Sequence, residues 1–491
     1  MAISIRKNFV YNSALMLIGY LVPLITYPYV SRVLGVNRIG ICNYVDSVIN
    51  FFSLFSMMGI GTLGIREIAR CQHNHQQLSK VFSQLFSLNA IATLIALIIA
   101  ICCISFNPTL AIHKKLMSIG LLKLVFNFAM ISWLYQGLEN FKYITLRSLV
   151  INIIFIISVF IVVRKADDYI WYYVLSVSTV IINAIINIVY SRHFIHLHLT
   201  FHIHPEYIKS FIILGVYVLL TSLYTSFNTM CLGIASGSTQ VGYYSTATKI
   251  YSMIISIYTA LTSVLLPRMT SLAESDDMVQ FKALIDKSLD ALISFTLPLI
   301  LFIELCAPQI IEIISGKGYE GAIAPLRIII PLCFVIGYEQ ILVVQILMPL
   351  KRDHYILVNS IVGALLGLLL NILLVKQFMA IGSSVTWVTC EIVVLCLAQH
   401  FVNRCIGFKP PFNLLVKNIL YIIPLLVVCL IIPRFTERLN RFAVMAIEML
   451  VIFIYTLVIQ SHIIKNPVVI DCISRIRSRM GFKSTNTANK L

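Results

Sequence analysis

The sequence predicts an all-α polytopic membrane protein with about fourteen transmembrane helices. Of its 491 residues, 59% are hydrophobic and 12% are charged, and that charged share is about half of what soluble domains carry. Apolar runs near the length of about 20 residues that a spanning helix needs recur along the whole chain. A weak internal repeat divides them into two halves, and such repeats are typical of transporter folds.

The apolar runs define the individual spans. The first run is longer than a secretory signal core and contains prolines, so we expect it to be retained as a span. Polar residues at helical spacing run through several spans, which suits helices that face one another or a cavity. The predicted spans are 9–33, 41–65, 80–106, 114–137, 143–163, 169–191, 208–234, 243–267, 284–314, 323–349, 354–375, 378–402, 412–432 and 442–463.

The internal repeat is clearest around apolar tripeptides with a central glycine. They are Leu34-Gly35-Val36 and Ile39-Gly40-Ile41 in the first copy, and Leu232-Gly233-Ile234 and Val241-Gly242-Tyr243 in the second. An arginine follows the second glycine at the same distance in both copies, Arg66 and Arg268. Because an even number of spans separates the copies, we expect parallel repeats related by an axis along the membrane normal.

This repeat predicts the domain organisation. The lysines and arginines of the loops favour, by about two to one, an orientation with both termini in the cytoplasm. We expect two pseudo-symmetric six-helix lobes and two extra helices: an N-terminal lobe (1–191, helices 1–6), a cytoplasmic linker (192–207), a C-terminal lobe (208–402, helices 7–12), accessory helices 13 and 14 (403–464) and a basic cytoplasmic tail (465–491).

Several function classes are disfavoured. The net charge of +17 is scattered between apolar runs, so we expect no nucleic-acid partner. Gly316-Lys317-Gly318 lacks the frame of a phosphate loop, and we predict no cofactor and no enzymatic activity. We favour an amphipathic segment on the inner leaflet over a metal site for the linker histidines, and we assign no metal site. These histidines are His193, His196, His198, His202 and His204.

Three cations lie within apolar stretches: Lys123, Lys249 and Arg327. An ionised side chain at mid-bilayer costs roughly 2.5–3.5 kcal/mol on insertion scales, so such groups usually face a cavity or a partner. The alternative is a lysine that extends to the interface. With the polar stripes on their helices, these cations predict a positively charged groove. The candidate lining residues are Asn127, Tyr217, Thr221, Tyr224, Asn228, Ser252 and Ser256.

Other charged candidates lie near helix ends or within spans. Arg32 lies at the predicted outer end of helix 1, and Arg66 and Arg268 lie at the predicted cytoplasmic ends of helices 2 and 8. These arginines either anchor the helices at the membrane surface or form a positively charged entrance that receives an anionic head group. Asp46 and Glu304 either pair with the cations, which we favour, or carry protons in an ion-coupled cycle.

Four stretches carry a family resemblance: TYPYVSRVLGVNRIGICNYVDSV, WLYQGLENFKYITLRS, LGIASGSTQVGYYSTATKI and GKGYEGAIAPLRIIIP. They resemble the polysaccharide repeat-unit (O-antigen, Wzx-type) flippases of the multidrug/oligosaccharidyl-lipid/polysaccharide exporter superfamily, over residues 1–400. The resemblance implies two lobes around a cationic cavity. It also implies alternating-access transport of an undecaprenyl-pyrophosphate-linked oligosaccharide to the periplasmic leaflet of the bacterial inner membrane.

The resemblance implies a lipid-linked oligosaccharide substrate and membrane lipids as partners, together with polysaccharide polymerase and chain-length machinery. Two alternatives remain open at this point. A drug or cation antiporter of the same superfamily would use an acid such as Asp46 or Glu304. A membrane polymerase or ligase would have a large external loop, whereas the predicted outer loops 314–322 and 433–441 are short.

Overall fold

The structure is a computed structural model that describes residues 5–195, 200, 203–275, 277–435 and 440–479. Within these ranges the regular secondary structure is entirely helical, which confirms the predicted all-α class. His196, His198 and His202 of the predicted linker lie outside the described residues, as do residues 480–491 of the predicted tail.

The first part of the chain, up to the predicted linker, forms eight α-helices, and a side-chain cap marks the start of α3. The Asn74 side-chain oxygen, Oδ1, accepts from the backbone amides of Gln76 and Gln77, which caps α3. The helices are α1 (Ile5–Met57), α2 (Ile60–Cys71), α3 (His75–Phe106), α4 (Pro108–Ala111), α5 (Lys114–Asn127), α6 (Ser132–Gly137), α7 (Phe141–Val162) and α8 (Tyr169–Ser191).

The second part is helical as well, with π-helical turns at the ends of three helices. These turns are Ile341–Leu347, Asn371–Val375 and Ile459–Ile463. The helices are α9 (Pro205–Thr225), α10 (Phe227–Ser236), α11 (Ser238–Glu274), α12 (Met278–Ser315), α13 (Ile323–Ile329), α14 (Leu332–Gln340), α15 (Asp353–Leu370), α16 (Lys376–Ile406), α17 (Phe412–Phe435), α18 (Arg441–Val458) and α19 (Pro467–Arg479).

Eleven helical segments of the described chain are long and apolar enough to cross a membrane. Two of them, Leu21–Cys71 and Asp353–Ile406, have 51 and 54 residues and are long enough for two crossings each. Helix α11, with 37 residues, is long enough for one more. Together they account for the fourteen predicted helices and confirm a polytopic membrane protein.

Several predicted spans are divided rather than continuous, and one of them, 323–349, is split between α13 and α14. The span predicted at 41–65 is divided between α1 and α2, and Met58 between them has a φ of 28°. Helix α5 ends at Asn127 and is followed by a 3₁₀ turn and α6. The span predicted at 208–234 is divided at Ser226 between α9, which carries Thr221, and α10, which carries Asn228, although Ser226 itself keeps helical φ and ψ values of −86° and −28°.

Two glycines have nearly the same unusual backbone conformation. Gly35, inside α1, has φ 74° and ψ 167°, and Gly237, between α10 and α11, has φ 82° and ψ 176°. This region of φ/ψ space is open essentially to glycine alone. The second copy of the repeat therefore matches Gly35 with Gly237. The match of Gly35 with Gly233 that the tripeptides suggest is wrong, because Gly233 lies inside α10.

Helices α1 and α11 make backbone contact where the second glycines of the repeat meet. A Cβ atom on Gly40 would overlap the Ser238 carbonyl oxygen, and one on Gly242 would overlap the Val36 carbonyl oxygen. The Asn37 amide nitrogen donates to the hydroxyls of Ser238 and Thr239, at 3.2 and 2.9 Å. Glycine at both positions is what allows the two copies to approach so closely.

The chain divides into two compact units. The first combines Met1–Met253, Ile311–Ile329 and Ser360–Cys390, and the second combines Ile254–Ile310, Ile330–Asn359 and Glu391–Leu491. The prediction of two six-helix lobes, with their linker, accessory helices and tail, stays a prediction.

Each unit has its own apolar packing. In the first unit, Trp133 of α6 stacks on Phe82 of α3 within a cluster that also buries Ile60 and Leu63 of α2. In the second unit, α17 and α18 bury Leu425, Cys429 and Ile452 against apolar side chains of α12. Many large apolar side chains remain exposed on the spanning helices, as expected for surfaces that face lipid.

Candidate functional site

A polar cavity of about 520 Å³ lies within the first unit. Helices α1 and α11 carry most of its polar groups, and all its lining residues belong to the first unit. The lining residues are Asn43, Asp46, Ser47, Asn50, Ser53, Leu54 and Met57 of α1, Asn127 of α5, Ser226, Thr229, Tyr244, Ser245, Thr248 and Lys249 of the α10–α11 region, and Trp387 of α16.

The α1 residues of the polar cavity recur every three or four positions, which places them on one helical face. Asn43, Asp46 and Asn50 are the main polar groups of this face. Sequence reasoning singled out Asp46 but missed both asparagines. Their spacing within an apolar run was the signal that could have revealed them.

Lys123 and Asp46 form an ion pair beside the polar cavity. The Lys123 Nζ donates to Asp46 Oδ1 at 2.6 Å and to Asn50 Oδ1 at 3.0 Å. The Asn50 amide nitrogen donates to the other Asp46 oxygen at 3.0 Å. The side chains of Lys123 and Asp46 are 17% and 33% exposed. The pair cancels one positive charge and fixes both groups with hydrogen bonds.

Lys249 has a different environment. Its Nζ lies 4.3 Å from the centroid of the Tyr27 ring, a cation–π arrangement, and donates to Asn43 Oδ1 at 3.3 Å. The Tyr27 hydroxyl is hydrogen bonded to Thr246 Oγ1 at 2.6 Å, which fixes the ring. Among the described residues no carboxylate lies within ion-pair distance of Lys249. The described groups of the polar cavity therefore leave one positive charge uncompensated.

The structure brings Asn127 into the polar cavity and does not place Thr221, Asn228 or Ser252 among its lining residues. The Thr221 hydroxyl donates to the Val218 carbonyl of its own helix. Asn228 is fully buried and accepts from the Asn371 amide at 2.5 Å. Ser252 is exposed and donates to the Thr248 carbonyl. The side chains of Tyr217 and Tyr224 lie outside the described residues.

Three of the predicted residues belong to the second unit. Ser256 is buried, Arg268 is exposed and Glu304 is half-buried. Also in this unit, the carboxyls of Glu339 and Glu391 interact.

The predicted arginines of the first unit, Arg32, Arg66 and Arg327, lie on α1, α2 and α13. The Arg32 guanidinium donates to the Ile313 carbonyl near the end of α12, where helix carbonyls lack intrahelical partners. Arg66 pairs with Glu67 at 2.9 Å. The Arg327 side chain is exposed on α13. None of the three is among the residues that line the polar cavity.

Arg147 is a buried cation that sequence reasoning did not single out. Its side chain on α7 is 8% exposed, donates to the Asn187 amide oxygen, and lies 5.5 Å from the centroid of the Tyr143 ring. The described residues place no carboxylate within ion-pair distance of it. Its position within the predicted span 143–163 was the signal that could have revealed it.

Comparison with known sequences identifies the family. The family model described as "Polysaccharide biosynthesis protein" matches residues 5–273, more than half of the chain. The chain belongs to this family. It is also 27% identical over 408 residues to an Escherichia coli (strain K12) protein named "Putative O-antigen transporter", covering 82% of this chain and 97% of that protein.

Solved structures share the fold. The lipid II flippase MurJ in its inward closed conformation superposes with a TM-score of 0.73 at 14% identity, covering 93% of this chain and 99% of that chain. An inward-facing multidrug resistance transporter of the MATE family, from the MOP superfamily, superposes with a TM-score of 0.58 at 12% identity, covering 83% of this chain and 96% of that chain.

Proposed function

We propose that this protein is a flippase that moves undecaprenyl-pyrophosphate-linked oligosaccharide repeat units across the bacterial inner membrane by alternating access. The observation that carries the proposal is Lys249, a cation without an ion-pair partner among the described residues, in a cavity whose lining carboxylate, Asp46, is paired with Lys123. The name of the Escherichia coli relative supports a glycan substrate.

The chemistry of the polar cavity fits the head group of such a substrate. A pyrophosphate offers only acceptor oxygens and negative charge, and the Lys249 ammonium offers three donors. Charge-assisted hydrogen bonds of this kind are the strong ones in proteins. The amides of Asn43, Asn50 and Asn127 add neutral donors and acceptors for the phosphate oxygens and the sugar hydroxyls.

The Lys123–Asp46 pair gives the cavity a means of coupling. Protonation of Asp46 would release Lys123, whose ammonium then becomes available to a phosphate oxygen. The cavity would thereby gain one positive charge. We propose Asp46 as the proton-coupling group, ahead of Glu304, because Asp46 contacts a cation at the cavity.

The remaining roles follow from the same proposal. Arg32, Arg66, Arg268 and Arg327 guide the anionic head group to and from the membrane. Both termini lie in the cytoplasm, with the substrate taken from that side. A polysaccharide polymerase and chain-length machinery receive the product on the other side.

Export of a surface polysaccharide tests the proposal. In a strain that lacks its own flippase, Lys249→Ala should abolish export while the amount of membrane-inserted protein stays unchanged. Lys249→Arg, which keeps the charge, should retain part of the export. Normal export by Lys249→Ala would contradict the proposal, and drug resistance conferred by the native protein would point to an antiporter instead.

A further inference from the structure

An apolar groove lies beside the polar cavity in the first unit. It has a volume of about 580 Å³, within the range of small-molecule sites. Its walls come from α1, α3, α4 and α10, and nearly all of its lining side chains are apolar. We call it the apolar groove.

The two sites share two helices. On α1, Asn50 lines the polar cavity and the next residue, Phe51, lines the apolar groove. On α10, Thr229 lines the polar cavity and the next residue, Met230, lines the groove. Successive residues on a helix point about 100° apart, so the two sites lie on adjacent faces of the same two helices.

Aromatic rings of α1 and α10 pack against one another where the two helices meet. The Phe51 ring lies 5.3 Å from the Phe227 ring of α10 and 5.1 Å from the Phe55 ring. Side chains at the other wall of the groove are open to the surroundings, with Phe106 85% exposed and Ile99 49% exposed. On a membrane-spanning helix such exposure faces the acyl chains. The groove is thus open to lipid on one side and adjoins the polar cavity on the other.

We infer that the apolar groove binds the isoprenoid chain of the substrate next to the anionic head group. This inference rests on the proposed function. The substrate is amphipathic, with a pyrophosphate directly attached to a methyl-branched hydrocarbon chain. A site for both parts needs donors and positive charge beside an apolar wall, and α1 and α10 present this combination one residue apart.

The chemistry of the groove fits a branched, unsaturated chain. Phenylalanine rings, Met230 and Cys103 provide polarizable surfaces that adapt to irregular apolar shapes. The Asn107 side-chain oxygen already accepts from the Thr109 backbone amide and hydroxyl at 3.0 and 2.6 Å. With nearly all lining side chains apolar, binding would depend mainly on apolar contact.

Photocrosslinking of the full-length protein in liposomes tests the inference. The probe is a polyprenyl pyrophosphate with a diazirine on its chain, and the reference probe is a phosphatidylglycerol with a diazirine on its acyl chain. We expect the polyprenyl probe to label the segment Phe51–Phe55 and the region of Ile99. Excess unlabelled polyprenyl pyrophosphate should compete, and phosphatidylglycerol should not.

Ile99→Trp fills the groove from α3, and Ile98→Trp is its matched control. Ile98 is the neighbouring residue, 55% exposed, and does not line the groove. Ile99→Trp should weaken labelling about tenfold, the loss expected when about two methylene groups are displaced from an apolar site. Ile98→Trp should leave labelling unchanged. If Ile99→Trp is not produced, Met230→Trp narrows the groove from α10 and should have the same effect.

The outcomes distinguish this inference from the proposed function. If the polyprenyl probe labels Ile99→Trp as strongly as the native protein, the groove assignment is overturned. The same holds if phosphatidylglycerol labels the groove equally and competes equally, because the groove is then an ordinary lipid contact. Binding of the polyprenyl probe that depends on Lys249 but does not label the groove would do the same while preserving the proposed function. A native protein that shows no Lys249-dependent binding of the probe would overturn both.

Discussion

The two copies of the internal repeat have matching backbones but different side chains at the polar cavity. Counted from Gly40 and Gly242, Asn43 corresponds to Ser245, Asp46 to Thr248, and Ser47 to Lys249. All six residues line the cavity. The first copy contributes the carboxylate and amides, and the second contributes the cation and hydroxyls. The duplicated backbone thus fixes where side chains meet the cavity, and the individual residues determine its charge.

The largest expected effect concerns the shared backbone. Gly40→Ala and Gly242→Ala place a Cβ atom onto carbonyl oxygens of the other copy, so we expect a loss of stability at or above the usual 1–3 kcal/mol of overpacking. The measurement is the thermal unfolding of each purified variant in detergent. Gly61→Ala is the control, because Gly61 is on a helix with nothing within 4 Å of the added atom. Equal stability of all three variants would show that the copies do not touch.

The next effect concerns the charges in which the copies differ. Lys123→Met leaves Asp46 without its cation, and we expect a loss of about 1–3 kcal/mol from the half-buried carboxylate. The double variant Asp46→Asn with Lys123→Met should lose less than the sum of the single variants, since neither charge is then left alone. Chemical unfolding of the four proteins measures this coupling. Strict additivity would mean that the ion pair contributes nothing.

The two glycines with positive φ provide a paired test of backbone equivalence. Gly35→Ala and Gly237→Ala meet no steric neighbour within 4 Å, so the expected loss of about 1–3 kcal/mol comes from the backbone conformation alone. Because the φ and ψ values nearly coincide, the two losses should be similar. Thermal unfolding would reveal a large difference between them, and such a difference would limit the repeat to its sequence pattern.

The smallest effect concerns the hydrogen bonds between the copies. Asn37→Ala removes the donor to Ser238 and Thr239, and we expect a loss of about 0.5–1.5 kcal/mol. Asn37→Leu, which keeps a similar shape but offers neither donor nor acceptor, should lose a similar amount. The same unfolding assay applies. A loss confined to Asn37→Ala would indicate that packing, rather than donation, connects the copies here.

The sequence predicted what depends on single helices. Apolar runs locate the spans, and helical spacing places Lys123 and Asn127 on one face of α5. The pairing of Lys123 with Asp46 is different, because the partners are 77 residues apart and depend on how α5 packs against α1. Several acids were equally available in the sequence, and only packing selects among them.

Local backbone conformation was the other feature that the sequence pattern did not predict. The tripeptides around Gly35 and Gly233 look alike, yet Gly35 leaves the helical region and Gly233 does not, and the residue that shares the conformation of Gly35 is Gly237. Asn228, expected in one polar stripe with Thr221, is instead buried against Asn371. Spacing along one helix therefore does not decide which neighbouring helix a polar side chain meets.

If one copy rotates against the other, the close backbone contact at Gly40 and Gly242 is the point where the two are least free to separate. Displacement grows with distance from such a point, and at 1.5 Å per residue Asp46 lies only about 9 Å away along α1. Met57, at the end of the same helix, lies about 25 Å away. A tilt that displaces Met57 by several ångströms would therefore displace Asp46 by only about a third as much.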